Sequence, residues 1–298
     1  MTDASSAPTR VAVIGLGNLG GAMAANLVNR GLTVSGYDLD PRSRDRAAVS
    51  GIHVHDSIAG AVAGVEAVIT SLPSESAVLS AWTGPRGVIE SASPGTFLIE
   101  TSTIGRDTML KVAEAGRAAN MRVIDGPVSA GPREALRGDL VWILGGDEVD
   151  IAEARPLIEQ MGPTIHVAGA AGSAKAVKLV NNLMAHATVL ICAEAFQIGV
   201  AAGIEPRHLF DMLSQMGGGK NHHFLKRFPL ALDDDFEARF SIRLAEKDIR
   251  LGTELAEAVG VPTPAASLMR NLYAIAMAEG YGEEDMVALL KVYRGWTR

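Results

Sequence analysis

Two short constellations in this sequence carry residue types that could do chemistry. The first is Gly15-Leu16-Gly17-Asn18-Leu19-Gly20, with glycine at the first, third and sixth places. In such a loop the first glycine permits a tight turn and the second lets backbone approach a pyrophosphate. The third lets the following helix pack closely on the preceding strand, while the helix N-terminus faces the phosphates. The second constellation is Lys178 and Asn182, four apart in an apolar run and so on one face of a helix, with the small Ala185 next along it. A lysine desolvated at a domain interface can have its pKa lowered toward neutrality, which makes it a usable proton donor and acceptor beside a carbonyl or alcohol. Asn182 could hold the same oxygen or the lysine. Spacing alone leaves this open, because a lysine on a helix is ordinarily a solvated charge, and Lys175 in the same segment fits that description.

The elements that must position these residues agree with a dinucleotide site. The glycine loop follows the apolar run 11–15 at once and opens a helical pattern, 22–30, closed by Gly31. Asp38 ends the second strand, 23 positions after Gly15 (38 − 15), near the usual interval of about 20. Its carboxylate would accept hydrogen bonds from the adenosine ribose hydroxyls and repel a 2′-phosphate, which favours NAD over NADP. Arg42, Arg44 and Arg46 keep NADP open, since one of them could fold back on a phosphate; their ordinary reading is a solvated helix start.

From residue 11 to about 169, β-rich runs (11–15, 33–38, 67–72, 96–100, 122–125, 140–144 and 164–167) alternate with helical patterns. That alternation predicts a parallel sheet with helices on both faces. After Gly172 the texture changes: 173–202 contains one glycine and no proline, with Val180, Leu183, Met184, Ala187, Leu190 and Ile191 at helical spacing. Everything beyond also reads helical, broken at Gly203, at 217–219, around 229–235 and at 260–264. The expected fold is α/β: a Rossmann-type dinucleotide-binding domain over 1–170, then a long connecting helix and an all-α C-terminal domain over 171–298 that closes the cleft and dimerises. Residues 1–9 read as disordered.

Composition narrows the function classes. The 298 residues are 48% hydrophobic and 20% charged, enough for two cores. A net charge of −7 without a Lys/Arg run argues against nucleic-acid binding, so an anionic substrate must be held by local groups. The apolar stretches are cut by Gly, Asn or Glu before the roughly 20 residues a membrane helix needs, and no basic start precedes an apolar cleavable segment. A cytoplasmic protein without a membrane partner is the expectation. The single cysteine, Cys192, fits a reducing compartment and reads as a small buried residue rather than a nucleophile.

Four ordered segments resemble the β-hydroxyacid dehydrogenase family, which includes 3-hydroxyisobutyrate dehydrogenase and tartronate semialdehyde reductase, and the likeness covers nearly the whole chain. Residues 15–27 (GLGNLGGAMAANL) resemble the family's cofactor loop and first helix, and 125–140 (DGPVSAGPREALRGDL) its substrate-binding segment. Residues 169–182 (GAAGSAKAVKLVNN) resemble the catalytic segment, and Lys247-Asp248 the late cofactor-contacting pair. The resemblance implies Lys178 as proton donor and acceptor and Asn182 as its substrate-orienting partner. It implies Ser129 with the backbone of Ala130 and Gly131 as a cradle for the substrate carboxylate, and Lys247 closing over the cofactor. It further implies that Leu72 and Pro73, and Ser102 with Thr103, lie along the nicotinamide riboside. Gly15, Leu16, Gly17, Asn18, Leu19 and Asp38 would hold the rest of NAD, with NADP possible. The activity implied is interconversion of a small anionic β-hydroxy acid, resembling 3-hydroxyisobutyrate or glycerate, and its aldehyde or ketone by hydride transfer, in either direction, by a homodimer or homotetramer. An imine reductase or a non-catalytic NAD(P)-binding scaffold on the same fold is the rival reading; the presence of Lys178 and Asn182 speaks against the scaffold, and that of Lys178 favours an oxygen substrate over an imine.

Departures from the family pattern fall in the substrate segments. Ser129-Ala130-Gly131 stands where many relatives have two glycines, and Pro132, Arg133 and Glu134 bring rigidity and charge. Arg133 could reach a second anionic group, though a surface arginine paired with Glu134 is the ordinary reading. Lys220, Asn221, His222 and His223 follow the glycines 217–219 where relatives approach the substrate from the second domain, which makes Asn221 a substrate-binding candidate. Adjacent histidines on a helix point about 100° apart and no acidic or cysteine ligand accompanies them, so no metal site is expected.

Overall fold

A computed structural model describes residues 8–297. The chain opens with β1 (Arg10–Ile14), α1 (Asn18–Asn29), β2 (Thr33–Tyr37), α2 (Pro41–Val49), β3 (His53–Val54), α3 (Ile58–Val62) and β4 (Ala67–Thr70). It continues through α4 (Glu75–Thr83), α5 (Val88–Ser91), β5 (Phe97–Glu100), α6 (Arg106–Ala118), β6 (Arg122–Asp125), β7 (Val128–Ser129) and α7 (Pro132–Arg137). Then come β8 (Val141–Gly146), α8 (Glu148–Met161), β9 (Thr164–Gly169) and α9 (Ser173–Ala201). The remaining helices are α10 (Pro206–Leu213), α11 (His222–Leu232), α12 (Ile242–Ala258), α13 (Pro264–Ala278) and α14 (Leu289–Trp296). Residues 1–7 of the amino-terminal stretch expected to be disordered lie outside the described residues.

The strands form one sheet in the order β3-β2-β1-β4-β5-β6-β8-β7, with β9 paired to β8. Because side chains alternate across a strand, β1 feeds two cores: Val11 and Val13 pack with Met23, Leu27 and Leu157 on one face. Ala12 and Ile14 pack with Val78, Trp82 and Val112 on the other. The sheet is therefore covered on both sides, as its near-continuous apolar strands require.

The sheet is not wholly parallel. β1 to β6 run parallel, but β8 is antiparallel to both β6 and β7 and parallel only to β9. Between β6 and β8 the chain offers only the Gly126-Pro127 break, the two-residue β7 and the six-residue α7, too little helix for a parallel crossover, whereas α8 supplies one before β9. The two-residue strands β3 and β7 are too short for a periodic signal.

The chain divides into two compact units inside α9, one ending at Lys178 and the other starting at Leu179. The second is all helical. Phe196, Phe224, Phe228 and Tyr273 centre its core, with the Phe224 and Phe228 rings 4.4 Å apart. α9 itself spans 29 residues, and by length and composition it is apolar enough to cross a membrane, with Asn181, Asn182, Glu194 and Gly199 set within its apolar run. Val177, Val180, Met184, Ile191 and Ile198 form an exposed stripe along it at intervals of three, four and seven.

Candidate functional site

The three glycines of the loop answer to three different demands. Gly15 has φ +93°, and a Cβ there would lie 2.2 Å from Ser71 O, so both backbone and neighbour exclude a side chain. At Gly20 a Cβ would lie 2.0 Å from Gly15 O, the close approach of α1 to the loop. Gly17 is unlike them: its φ of −63° suits any residue, and a Cβ would meet nothing within 4 Å. Nothing within the protein requires glycine there. It stands at the N-cap of α1, where backbone N–H groups and the helix dipole favour an anion. A Cβ would occupy the space into which a phosphate must come, and the donor set therefore fits a dinucleotide. A cavity of about 260 Å³ opens beside the loop, lined by Leu16, Gly17, Asn18, Ala22, Arg46 and Ala47 among others.

Asp38 follows β2 and is locked in place. Its Oδ2 accepts from Leu16 N at 2.7 Å and its Oδ1 from Asp40 N at 2.8 Å, which ties the acid to the glycine loop. The three nearby arginines already have partners: Arg42 Nε donates to Asp40 Oδ1, Arg44 Nη1 to Asp38 O, and Arg46 Nη2 to Ser43 Oγ. Asp40 caps α2 and its carboxyl is held below the usual range by the Arg42 side chain.

Along the C-terminal ends of the parallel strands, where ligands of open α/β sheets bind, the side chains are cross-linked. Leu72 N donates to Ser102 Oγ at 2.8 Å, and Ser102 N to Glu100 Oε1 at 2.6 Å. Leu72 and Thr103 are half-buried and Pro73 is exposed beside them. In the substrate segment, Ser129 ends β7 and Ala130 takes φ +98°, a conformation that favours glycine. Gly131 N–H donates to Glu134 Oε2 at 3.1 Å, and Arg137 pairs with the same carboxylate at 3.6 Å, so one donor of the expected cradle is engaged within the chain. Arg133 is exposed.

Lys178 is half-buried on α9. Lys175, expected to be solvated, is not: it is fully buried, its Nζ donating to Glu100 O at 2.8 Å and lying 3.4 Å from Asp125 Oδ1. A lysine is buried only when paired, and the pairing partners are 50 and 75 residues away in sequence.

In the second unit Asn182 is buried and its Nδ2 donates to Asp248 Oδ2 at 2.6 Å, while Asn181 Nδ2 donates to Asn182 Oδ1 at 3.1 Å. Lys247 Nζ lies 3.2 Å from Asp248 Oδ1, and His186 Nε2 lies 3.8 Å from Asp248 Oδ2. Sequence reasoning named Asn182 and Lys247 but missed His186, although Lys178, Asn182 and His186 stand at i, i+4 and i+8. Asn221, the substrate-binding candidate, caps α11, its Oδ1 accepting from Phe224 N at 2.9 Å and its Nδ2 donating to Gly218 O. Cys192 is half-buried, and burial raises its thiol pKa. Burial, reinforced by Arg227, lowers His223 to about 4, so that ring is neutral. Among the described residues no group of three or more His, Cys, Asp or Glu could hold a metal.

Two family profiles match the chain. That described as the NAD binding domain of 6-phosphogluconate dehydrogenase matches residues 10–169. That described as NAD-binding of NADP-dependent 3-hydroxyisobutyrate dehydrogenase matches 172–293. A 3-hydroxyisobutyrate dehydrogenase of Pseudomonas aeruginosa is 35% identical over 96% of this chain and 99% of its own. An NAD-dependent L-serine dehydrogenase of the same organism is 32% identical over 95% and 97%. Among solved structures, Mycobacterium tuberculosis 3-hydroxyisobutyrate dehydrogenase with L-serine is 33% identical, with a TM-score of 0.85 over 96% of this chain and 99% of that one.

Proposed function

The chain belongs to the β-hydroxyacid dehydrogenase family, and on that premise we propose that it oxidises a small β-hydroxy acid to the corresponding aldehyde or ketone, with NAD as cofactor and Lys178 as acid and base. It is an NAD(P)-binding hydroxyacid dehydrogenase; the substrate, the choice of NAD and the lysine's role are the proposal. The observation that carries it is the half-buried Lys178 one helical turn from Asn182, whose amide is fixed by Asp248 at 2.6 Å.

When bound, the nicotinamide accepts a hydride in oxidation and returns it in reduction. The protein supplies geometry and charge. Lys178 in its unprotonated form takes the substrate hydroxyl proton, and the same ammonium returns it in reduction. Asn182 orients the reacting oxygen, its side chain prevented from rotating by the bonds to Asp248 and from Asn181. Ser129 Oγ and the Ala130 backbone hold the carboxylate, joined by the Gly131 N–H once it exchanges its bond to Glu134 Oε2 for one to the substrate, and Gly15 to Leu19 hold the pyrophosphate on the α1 N-terminus. Leu72, Pro73 and Thr103 flank the nicotinamide riboside, and Lys247 belongs with the cofactor contacts.

NAD is favoured because Asp38 is held by Leu16 N and Asp40 N, and because Arg42, Arg44 and Arg46 are engaged with Asp40, Asp38 O and Ser43. A second copy of the chain covers the exposed stripe on α9, whose three-four-seven spacing suits a packed helix pair. Nicotinamide absorbance tests the chemistry during oxidation of 3-hydroxyisobutyrate, glycerate, serine, 3-hydroxypropionate and threonate by wild type and Lys178→Ala. Turnover that the variant loses by roughly 10²- to 10⁴-fold supports the reading. Turnover unchanged in Lys178→Ala defeats it.

A further inference from the structure

The first turn of α9 is tied to the sheet by more than packing. Asp125, the last residue of β6, is fully buried and turns its carboxylate to the helix start, where Oδ2 accepts from Gly172 N at 2.8 Å and from Lys175 N at 3.3 Å. A carboxylate so placed satisfies N–H groups at the start of a helix and complements its dipole. The Lys175 side chain returns to the same edge, with its ammonium 3.4 Å from Asp125 Oδ1 and donating to the carbonyl of Glu100 at 2.8 Å.

The tether extends sideways. Glu100 ends β5 and sits in register with both Thr70 at the end of β4 and Asp125. Its buried carboxylate accepts from Thr70 Oγ1 at 2.5 Å, from Trp82 Nε1 at 3.1 Å and from Ser102 N at 2.6 Å. Ser102 Oγ in turn holds Leu72 N. One buried polar chain thus runs from the loops beyond β4 and β5, across three strand ends, into the first turn of the helix that carries Lys178. A buried ion pair is a poor stabiliser compared with apolar residues of the same volume, and the use it serves well is fixing one arrangement among several.

We propose that the buried Lys175–Asp125 pair is a positioning element: it fixes the register of the first turn of α9 on the ends of β5 and β6, and with it the place of Lys178. Lys178 follows Lys175 by three residues, a rise of about 4.5 Å on the same rigid turn. The residues proposed to flank the nicotinamide are braced by the same network, so proton acceptor and cofactor share one frame. Lys175 touches neither substrate nor cofactor; it acts through the helix. The proposal rests on Lys178 being the acid and base, and its test separates the two.

The test uses the full chain with Lys175→Met and with Lys175→Met combined with Asp125→Asn, which removes both charges at nearly constant volume and carries the test if the single variant fails to fold. The expected result for the double variant is a kcat lower by roughly 10- to 100-fold, the consequence of a misplacement of about 1 Å, with KM for the hydroxy acid and NAD affinity within about threefold of wild type. Hydrogen exchange should quicken at the amides of residues 174–179 and stay unchanged over the rest of α9. A kcat within about twofold of wild type overturns the proposal, as does exchange that quickens throughout the chain, which marks a merely structural role. If wild type oxidises nothing on the panel, or Lys178→Ala keeps full turnover, the proposed chemistry fails by itself. Exchange then decides the anchoring, and unaltered protection at 174–179 overturns it.

Discussion

Replacing Gly17 by alanine should separate folding from cofactor binding. Its φ of −63° and ψ of −166° are open to alanine, and the added methyl meets nothing within 4 Å. The folded state therefore loses no contact, while the unfolded chain loses freedom, so stability should hold or rise by about 0.4–1 kcal/mol. The pyrophosphate then meets a methyl group where it needs backbone. Losing one charge-assisted hydrogen bond costs about 1.5–3 kcal/mol, which is a roughly 10- to 150-fold weaker NAD complex. Gly20→Ala is the contrasting variant, since its methyl would stand 2.0 Å from Gly15 O and 3.1 Å from Ser71 Cβ. Overpacking of that kind costs about 1–3 kcal/mol. Urea unfolding followed by tryptophan fluorescence without cofactor, beside NADH titration, measures both effects. The reasoning is refuted if Gly17→Ala unfolds as early as Gly20→Ala, or if it binds NADH within about twofold of wild type.

Asp38→Ala should weaken NAD binding and lessen the discrimination against NADP, read by titrating both; unchanged affinity for both removes Asp38 from the site. Ala130→Gly should relieve a φ of +98° and raise the urea midpoint by the equivalent of up to about 1 kcal/mol, the left-handed strain outweighing glycine's entropy. A lower midpoint would show that the Ala130 methyl packs usefully. Burial first, and then Arg227, His222 and His186, with Asp285 opposing, lower the His223 pKa from its ordinary 6.5 to about 4. Between those values the unfolded chain binds more protons, so this group's contribution is complete above pH 6.5 and is lost as pH falls toward 4. His223→Gln should flatten the fall in stability between pH 7 and 4.5; an unchanged slope would assign the pH dependence to other groups.

What the sequence made legible was whatever had a short-range pattern. β1 alternates between two cores and so reads as a doubly covered strand; α9 shows its period over 29 residues. The glycine loop and Asp38 were legible because their spacing is set by a strand-turn-helix geometry, and the structure joins them through the Leu16 N–H. The direction of β8 was not, since antiparallel pairing with β6 depends on the connection and not on the strand's own residues. The burial of Lys175 depends on Asp125 and Glu100, far away in sequence, and nothing near Lys175 announces it. Asn221 carried a signal that was overlooked, because an asparagine opening a helical run is a preferred N-cap.

The tether from Asp125 to Gly172 and Lys175 also constrains how the gene could be recombined. The two family profiles meet between residues 169 and 172, which is where a crossover between relatives would look harmless. Such a crossover takes Asp125 from one parent and Lys175 from the other. A hybrid whose second parent has no cation at that position inherits a buried carboxylate without its ammonium, a loss of about 3–5 kcal/mol. Asp125 and Lys175 are therefore expected to be inherited as a unit, and a viable joint should fall beyond Lys178, within the helix and not before it.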